Sequence, residues 1–334
     1  MTRHECLVIG GGPAGLTAAM YLRRFHRDVV VLDAGASRAR WIPKSNNCPG
    51  FPTGISGNDL LATLREQATR FDLDIVPARV VSLVGEGEGF TAVAEDGRRW
   101  QADAVILATG IIDVLPDVPW AETAVSTTAL RLCAICDGYE ASDGRLAVYG
   151  PFSESLSHAR FLRTFSDSIT LVGSDGSVPD DAVRREAAAA GIALLSGHVT
   201  LQFDGERCSA CVDGERHDFD AVYPALGSEA QSGLAATLGA RVDEKGELVV
   251  DAHKQTSVAG LYAIGDVVSA LNQISVATGH AAVAATAVHN ALPGKPRDAR
   301  HPAPAAPAAD APLGADTPGD AAAARLGAAR PHAA

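Results

Sequence analysis

The sequence predicts an α/β fold, and three stretches support that prediction. An apolar strand, a glycine-rich turn and a helix-forming segment follow one another over residues 6–22. Buried strands at 104–110 and 260–266 each end in a turn of small residues, the second with an acid at its tip. Strands that alternate with helices through glycine turns are typical of a layered sheet covered by helices. We therefore expect a layered α/β protein.

Length and composition limit the classes to which the protein can belong. The chain has 334 residues, 47% of them hydrophobic, so it can bury a large core and divide into two domains. Its net charge of -12 argues against nucleic acid or an anionic membrane as a partner, because either would need a basic surface. The sequence has neither an apolar run near the roughly 20 residues that span a bilayer nor a signal-peptide pattern, so we expect a cytoplasmic protein.

The glycine-rich turn has the spacing of a dinucleotide-binding site. Gly10 makes the turn, Gly12 lets the backbone approach a pyrophosphate, and Gly15 allows the following helix to pack closely. A second strand ends at Asp33, about where an acid hydrogen-bonds an adenosine ribose. A glycine turn without a ligand is the alternative, and the flanking strand, helix and acid argue against it. The predicted contacts are Gly10, Gly12, Pro13, Ala14, Gly15 and Asp33.

Two cysteines in the middle of the chain are candidates for redox chemistry. Cys133 and Cys136 are separated by two residues, so they can close a small disulfide, open to two thiols and pass two electrons. Asp137 follows directly and could carry the proton that each opening or closing requires. Six cysteines are too few for a disulfide framework in a chain of this length, so the pair is either catalytic or metal-binding.

A zinc site is the alternative role for this pair, and the rest of the chain argues against it. A structural zinc needs four ligands, and the natural second pair is Cys208 with Cys211. These residues lie in an alternating segment that is typical of a strand, where side chains three residues apart point to opposite faces. We therefore predict no metal site, and we predict that Cys6 is a small buried residue of the first strand.

Together, the glycine turn and the two later strands resemble the flavoprotein disulfide reductase family. The short chain and the central position of Cys133 and Cys136 resemble its low-molecular-weight thioredoxin reductase branch. Two further segments carry this resemblance, which covers roughly residues 5–292. Asn47-Cys48-Pro49-Gly50 is similar to the Asn-Trp-Pro-Gly loop of that branch, and Asn272-Gln273-Ile274 is similar to its flavin-contacting segment.

The resemblance implies both the domain organisation and the cofactor. It implies two Rossmann-like, three-layer nucleotide-binding domains, the second inserted into the first. Residues 1–116 and 225–292 would form the FAD-binding domain, and 117–224 an NADPH-domain-like insertion that carries the cysteine pair. It further implies a homodimer, and an aspartate, Asp266, that holds the ribityl chain of FAD. The other implied FAD contacts are Asn47, Thr109, Gly110, Gly265, Asn272, Gln273 and Ile274.

The second nucleotide motif, in the predicted insertion, departs from the family pattern. Only its first glycine, Gly150, remains, and Phe152 stands where a missing side chain would let the phosphates approach. The arginine cluster that binds the 2'-phosphate is replaced by a segment with Asp175, which would repel that phosphate. Either NADPH binds through unfamiliar contacts such as Arg184 and Arg185, or the nicotinamide site is lost. We favour the second interpretation.

Some members of this family, the dithiol oxidases of natural-product biosynthesis, are similar in lacking a working NADPH site. By that resemblance a thiolate of a small-molecule dithiol attacks Cys133, its second thiolate closes the product disulfide, and Cys136 passes the electrons to FAD, which oxygen reoxidises. Asp137 would move the protons. An acid directly after the second cysteine is also the thioredoxin reductase arrangement, so reduction of a thioredoxin-like protein with NADPH or another donor is the alternative. A non-catalytic flavin-binding protein is a third hypothesis.

Two carboxyl-terminal segments complete the predictions. Residues 276–285 form a small-residue helix whose N-terminus would face the flavin. Its His280 is either an acid or base near the substrate or, as we predict, a hydrogen-bonded structural residue. From 293 to 334 the chain is rich in alanine, proline and glycine, which predicts a disordered tail.

Overall fold

The computed structural model describes residues 3–87, 89–174, 176 and 178–296, so the predicted tail from 297 onward and Asp175 lie outside the described residues.

The strands of the first half are β1 (Arg3–Ile9), β2 (Val29–Asp33), β3 (Asp74–Pro77), β4 (Val80–Glu86), β5 (Gly89–Ala94), β6 (Arg99–Leu107), β7 (Ile111–Asp113) and β8 (Leu146–Gly150). Those of the second half are β9 (Ile169–Gly173), β10 (Ile192–Leu195), β11 (Val199–Phe203), β12 (Cys208–Val212), β13 (Glu215–Asp218), β14 (Ala221–Pro224), β15 (Ser228–Ala230) and β16 (Leu261–Ala263).

The helices alternate with these strands. They are α1 (Pro13–Arg24), α2 (Gly57–Thr69), α3 (Ala121–Ser126), α4 (Ala134–Asp137), α5 (Phe152–Leu162), α6 (Asp181–Ala190), α7 (Gly233–Ala236) and α8 (Ile274–Ala291). Within the described residues, no helix is both long enough and apolar enough to cross a membrane.

The larger sheet is built from both ends of the described chain. Its strand order is β3-β2-β1-β6-β5-β4, and β16 pairs with β6 in parallel. β1 and β2 are joined by α1, which gives the parallel strand-helix-strand unit that the sequence predicts. α1 and α8 cover one face with small side chains such as Ala18, Ala281 and Ala284, all fully buried, so that both helices approach the sheet closely. Burial of this apolar surface stabilises the layer by about 25 cal/mol per Å².

A second, smaller sheet has its own covering layers. Its order is β10-β9-β8-β14 and all its neighbours are parallel. α5 and α6 cover one face, where Phe152, Leu156 and Val183 are buried. The three-stranded meander β11-β12-β13 packs on the other face together with α3. The predicted insertion therefore has its own sheet and its own apolar clusters.

The chain leaves the part of the fold around the larger sheet, and returns to it, at one place. β7 is the last strand before the smaller sheet, and β15 is the first strand after it. The two strands pair antiparallel, with Asp113 opposite Ser228 and Ile111 opposite Ala230. The next residue pair continues this ribbon, because the Val114 amide donates to the Gly227 carbonyl at 3.0 Å. The predicted boundaries after 116 and 224 fall close to this ribbon, and their exact positions stay predictions.

Candidate active site

A disulfide joins Cys133 and Cys136 at the start of α4. Cys133 precedes the helix, and its Sγ accepts a hydrogen bond of 3.1 Å from the backbone N–H of Cys136. Ala134 is buried in the core of the smaller sheet, whereas Ile135 is exposed. The short helix is thus anchored through Ala134, and the two cysteines of the predicted redox pair are partly buried.

A small cavity of about 70 Å³ lies beside the disulfide. Both cysteines line it, and its apolar wall includes Trp41, Val125 and Leu130. Its charged lining residues are Arg38, Lys44, Arg131 and Asp137. Two of the three cations are ion-paired: Arg38 contacts Asp113, and Arg131 lies 3.7 Å from Asp137.

Asp137 is held by two partners that local sequence patterns do not reveal. Its Oδ1 accepts a hydrogen bond of 3.0 Å from the Tyr223 hydroxyl, and its Oδ2 lies 3.7 Å from the Arg131 guanidinium. Arg131 also donates to the Asp137 carbonyl at 3.0 Å. Burial raises the pKa of the Asp137 carboxyl to about 6 and outweighs the opposite effect of Arg131. A carboxyl with this pKa can both give and take a proton near neutral pH.

Gln273 connects the disulfide to the loop that contains Asn47. Its Nε2 lies 3.4 Å from Cys133 Sγ and 3.4 Å from Cys136 Sγ. Its Oε1 accepts a hydrogen bond of 3.0 Å from Asn47 Nδ2. Gln273 also precedes the first residue of α8 and lines the larger cavity described next. The side chain therefore stands between the sulfurs and that cavity.

A cavity of about 800 Å³ lies over the carboxyl ends of the strands of the larger sheet. The first glycine turn forms part of its wall. Gly10 has a φ of +111°, and a Cβ there would collide with the Ala108 carbonyl; a Cβ at Gly15 would collide with the Gly10 carbonyl. Two of the glycines are thus required by sterics, and α1 begins beside the cavity with its free N–H groups.

Asp33 ends β2 at the wall of the same cavity. Its Oδ1 accepts hydrogen bonds from the backbone N–H groups of Gly11 (3.1 Å) and Gly35 (3.0 Å), and its Oδ2 pairs with Arg65. The carboxylate is therefore fixed by the backbone of two neighbouring turns, and its contact with a ribose stays a prediction.

A pair of charged residues that the sequence analysis missed supports Asp266. Arg38 makes a two-pronged contact with Asp113, at 2.6 and 2.8 Å, and its guanidinium lies 3.9 Å from Asp266 Oδ2. Burial raises the pKa of Asp266, and Arg38 opposes that effect. Arg38 lines both cavities. The only signal in the sequence is an acid, Asp113, directly after the short apolar run that follows Gly110.

Most of the residues predicted to bind the cofactor line the larger cavity. Two do not: Gly15 packs against Gly10, and Asn47 lines the small cavity beside the disulfide. Thr109 lines the larger cavity and donates its hydroxyl to the Gln231 carbonyl at 2.7 Å. The predicted residues that line the larger cavity are Gly10, Gly12, Pro13, Ala14, Asp33, Thr109, Gly110, Gly265, Asp266, Asn272, Gln273 and Ile274.

The larger cavity fits an FAD molecule. It combines a glycine turn at a helix N-terminus for the pyrophosphate with two carboxylates, Asp33 and Asp266, for hydroxyl groups. The Asn272 Oδ1 atom is buried and has no hydrogen-bond partner within the described residues. A buried acceptor without a partner is costly, so a ligand donor at this point would satisfy it.

The second nucleotide motif is closed by its own side chains. Phe152 is 4% exposed, and α5 begins at this residue. Its ring packs against Gly173 at the end of β9, so closely that an added Cβ at Gly173 would lie 2.5 Å from a ring carbon. Ser155 is fully buried beside Gly150 and the Ala225 carbonyl. Arg184 lies on an exposed face of α6 and donates to the Pro179 carbonyl at 3.0 Å.

Three of the free cysteines, Cys6, Cys208 and Cys211, line neither cavity, and neither does His280. Cys208 and Cys211 are free and lie on β12, with Cys208 buried and Cys211 partly exposed, as the predicted strand requires. Among the described residues, no cluster of three or more His, Cys, Asp or Glu side chains could hold a metal. Cys6 is fully buried in β1, as predicted. His280 differs from the predicted hydrogen-bonded residue: its buried Nδ1 has no partner within the described chain, and burial lowers its pKa.

Comparison with known proteins identifies the family. A family model described as pyridine nucleotide-disulphide oxidoreductase matches residues 4–281. The chain belongs to this family. Its thioredoxin reductase members bind FAD, so the predicted cofactor is confirmed, and the protein is an FAD-dependent disulfide oxidoreductase similar to thioredoxin reductases.

Individual relatives agree with this assignment. The chain is 32% identical to the thioredoxin reductase of Mycolicibacterium smegmatis over 280 residues, which covers 80% of this chain and 89% of that protein. It is 30% identical to the thioredoxin reductase of Streptomyces coelicolor, with 78% and 85% of the two chains covered. These names favour the reductase alternative over the predicted oxidase.

Solved structures confirm the predicted fold class of two Rossmann-like domains. The crystal structure of HlmI superimposes with a TM-score of 0.81 at 28% identity and covers 86% of this chain and 92% of HlmI. The thioredoxin reductase of Streptococcus pyogenes MGAS5005 gives a TM-score of 0.79 at 28% identity, with 86% and 97% covered.

Proposed function

We propose that this family member is a dithiol oxidase that closes a disulfide in a small-molecule dithiol without using NADPH. One observation carries the proposal: Phe152 occupies the position where the second nucleotide motif needs a glycine, and its ring is buried against Gly173. A buried ring cannot leave this position without loss of core packing. In the sequence, no arginine stands directly after β9, because the first one beyond Gly173 is Arg184, and this points in the same direction.

The chain's own residues account for the thiol chemistry. A substrate thiolate attacks Cys133 Sγ, the Cys133–Cys136 bond breaks, and Cys136 leaves as a thiolate. The second substrate thiolate then attacks the substrate sulfur of the mixed disulfide and releases Cys133. The net result is one substrate disulfide and a reduced cysteine pair. Asp137, with its pKa near neutrality, takes or returns protons at the sulfurs.

The cofactor and the final acceptor complete the proposal. When bound in the larger cavity, FAD supplies the two-electron acceptor for the reduced pair, and we propose that oxygen accepts the electrons from it. Arg38 and Asp266 line the larger cavity and would hold the cofactor, and Asp113 fixes the Arg38 guanidinium. A homodimer and a cytoplasmic location remain part of the proposal.

Thioredoxin reductase activity is the second candidate, and the relatives favour it. Curated proteins at 30–32% identity carry this name. Asp137 directly after Cys136 is also the arrangement that the resemblance to thioredoxin reductases implies. In this case a thioredoxin-like protein is the partner, and NADPH or another donor supplies the electrons.

An anaerobic titration of the purified flavoprotein separates the two candidates. For the oxidase we expect a stoichiometric model dithiol to bleach the flavin absorbance and NADPH to leave it unchanged, with peroxide formed when air is admitted. Fast bleaching by NADPH would contradict the oxidase proposal and support the reductase. Cys136→Ser serves as the control, because it should abolish bleaching by the dithiol. If neither the dithiol nor NADPH bleaches the flavin of the unmodified protein, the oxidase and the NADPH-dependent reductase are both wrong, and the cysteine pair is vestigial.

A further inference from the structure

The Gln273 amide contacts both sulfur atoms of the disulfide. Its Nε2 lies 3.4 Å from each of them and also donates to the Leu271 carbonyl at 3.3 Å. The amide nitrogen carries two hydrogens, so Leu271 uses one and the two sulfurs share the other. A disulfide is a weak acceptor, whereas a thiolate is charged and accepts strongly.

A chain of hydrogen bonds fixes the orientation of this amide. The Ser45 hydroxyl donates to Asn47 Oδ1 at 3.1 Å, which leaves Asn47 Nδ2 to donate to Gln273 Oε1 at 3.0 Å. Since the Gln273 oxygen is occupied as an acceptor, its NH₂ group must face the sulfurs. Asn47 also reaches the Ile135 carbonyl, between the two cysteines, at 3.5 Å. The loop and the redox helix are thus tied together through this side chain.

The two sulfurs differ in their other donors. Cys133 Sγ already accepts a hydrogen bond from the backbone N–H of Cys136. For Cys136 Sγ, Gln273 makes the only hydrogen bond found within the described part of the chain. Within the described residues, neither sulfur has a hydrogen bond to the charged groups that line the cavity, Arg38, Lys44, Arg131 and Asp137. Cys136 therefore depends on Gln273 more than Cys133 does.

We propose that Gln273 is a catalytic hydrogen-bond donor that stabilises the Cys136 thiolate when the disulfide opens, and that Asn47 is the positioning residue that aims it. In that step a thiolate bonds to Cys133 Sγ, the Cys133–Cys136 bond breaks, and Cys136 leaves with the electron pair. A leaving thiolate of lower pKa leaves faster. The proposal rests on the redox use of the cysteine pair, which the oxidase and the reductase share, and not on the direction of electron flow.

Gln273→Glu tests the proposal, because it keeps the size of the side chain and replaces the NH₂ donor by a carboxylate oxygen. The holoprotein is reduced with a dithiol and alkylated with iodoacetamide over a range of pH. Mass spectrometry then follows the peptide that contains Cys133 and Cys136. We expect the midpoint of the alkylation profile to rise by roughly one pH unit or more, and reduction of the disulfide by the dithiol to slow by roughly tenfold.

Gln67→Glu is the matched control, because Gln67 lies on the exposed face of α2 and receives the same change of charge. It should leave the alkylation profile and the rate unchanged. Flavin content is measured for each variant. A purely structural or cofactor-binding role for Gln273 predicts loss of FAD with an unmoved alkylation midpoint, and that result would overturn the proposal.

Asn47→Ala provides a second variant that does not alter the lining of the larger cavity. The freed Gln273 amide should turn away from the sulfurs for part of the time, so the midpoint should rise in the same direction by a smaller amount, with full FAD content. An unmoved midpoint in both Gln273→Glu and Asn47→Ala rejects the proposal even if NADPH proves to be the electron donor.

Discussion

Asp137 illustrates how burial and a cation compete at a single carboxyl. Burial raises its pKa, whereas Arg131 lowers it, and burial has the larger effect. The Tyr223 hydroxyl donates to Oδ1 and so favours the charged form as well. The side chain is 24% exposed, so water reaches it only in part. The resulting pKa of about 6 places its proton exchange within the physiological range.

Asp137→Asn should change the dependence of stability on pH. Between pH 3.8 and about 6 the native carboxyl keeps a proton that the unfolded chain has released, so the free energy of unfolding falls as pH rises through this window. The fall is roughly 3 kcal/mol and is complete above the native pKa. In Asp137→Asn this part of the slope should vanish. Urea denaturation at pH values below and above this window measures the change in the free energy of unfolding. The control is Asp117→Asn at an exposed acid, which should keep the pH dependence of the unmodified protein. An unchanged slope in Asp137→Asn would mean that Asp137 does not titrate near 6.

The site residues that the sequence could predict are those that belong to a short pattern. Gly10, Asp33 and Cys133 each sit at a fixed spacing from a strand or a second cysteine, so local chemistry identifies them. Arg38 and Tyr223 have no such pattern. Tyr223 lies 86 residues from Asp137, and Arg38 lies 75 residues from Asp113, so only the packing of separate elements of the fold brings each pair together.

At the scale of elements, the start of α5 occupies the place where a second glycine-rich, nucleotide-binding turn is expected. The helix begins at Phe152, with Pro151 before it and an acid, Glu154, in its first turn. The sequence predicts the loss of the glycine, but it cannot tell whether the new ring points to solvent or into the core. The structure places the ring in the core of the smaller sheet, with Leu156 and Val183 in the same cluster.

Phe152→Ala should therefore destabilise the protein in proportion to its burial. Removal of a buried phenylalanine side chain costs about 3–5 kcal/mol, because it leaves a cavity as well as removing apolar contact. Phe161→Ala, on the same helix but 42% exposed, should cost about 1 kcal/mol or less. Denaturant unfolding of both variants checks this. Equal losses would show that Phe152 is not part of the core.

At the scale of the whole molecule, the pairing of β7 with β15 makes the insertion separable. The ribbon brings Val114 and Gly227 together, so residues 115–226 could be replaced by a two-residue Asn-Gly turn. We expect the shortened protein to fold and to bind FAD, because the lining of the larger cavity lies outside the removed segment. It should not react with dithiols. Flavin absorbance and circular dichroism test this, and an unfolded product without FAD would show that the first domain needs the insertion.

The pairing of β16 with β6 also has a consequence for the order in which the parts form during synthesis. Leu261 lies opposite Val105 and Ala263 opposite Leu107, so the larger sheet stays incomplete until the chain after the insertion has left the ribosome. The smaller sheet consists of strands between Leu146 and Pro224, and its sequence-local contacts can form earlier. Asp266 and α8 follow the smaller sheet in the chain. We therefore expect the smaller sheet to form first and the lining of the larger cavity to be completed after it.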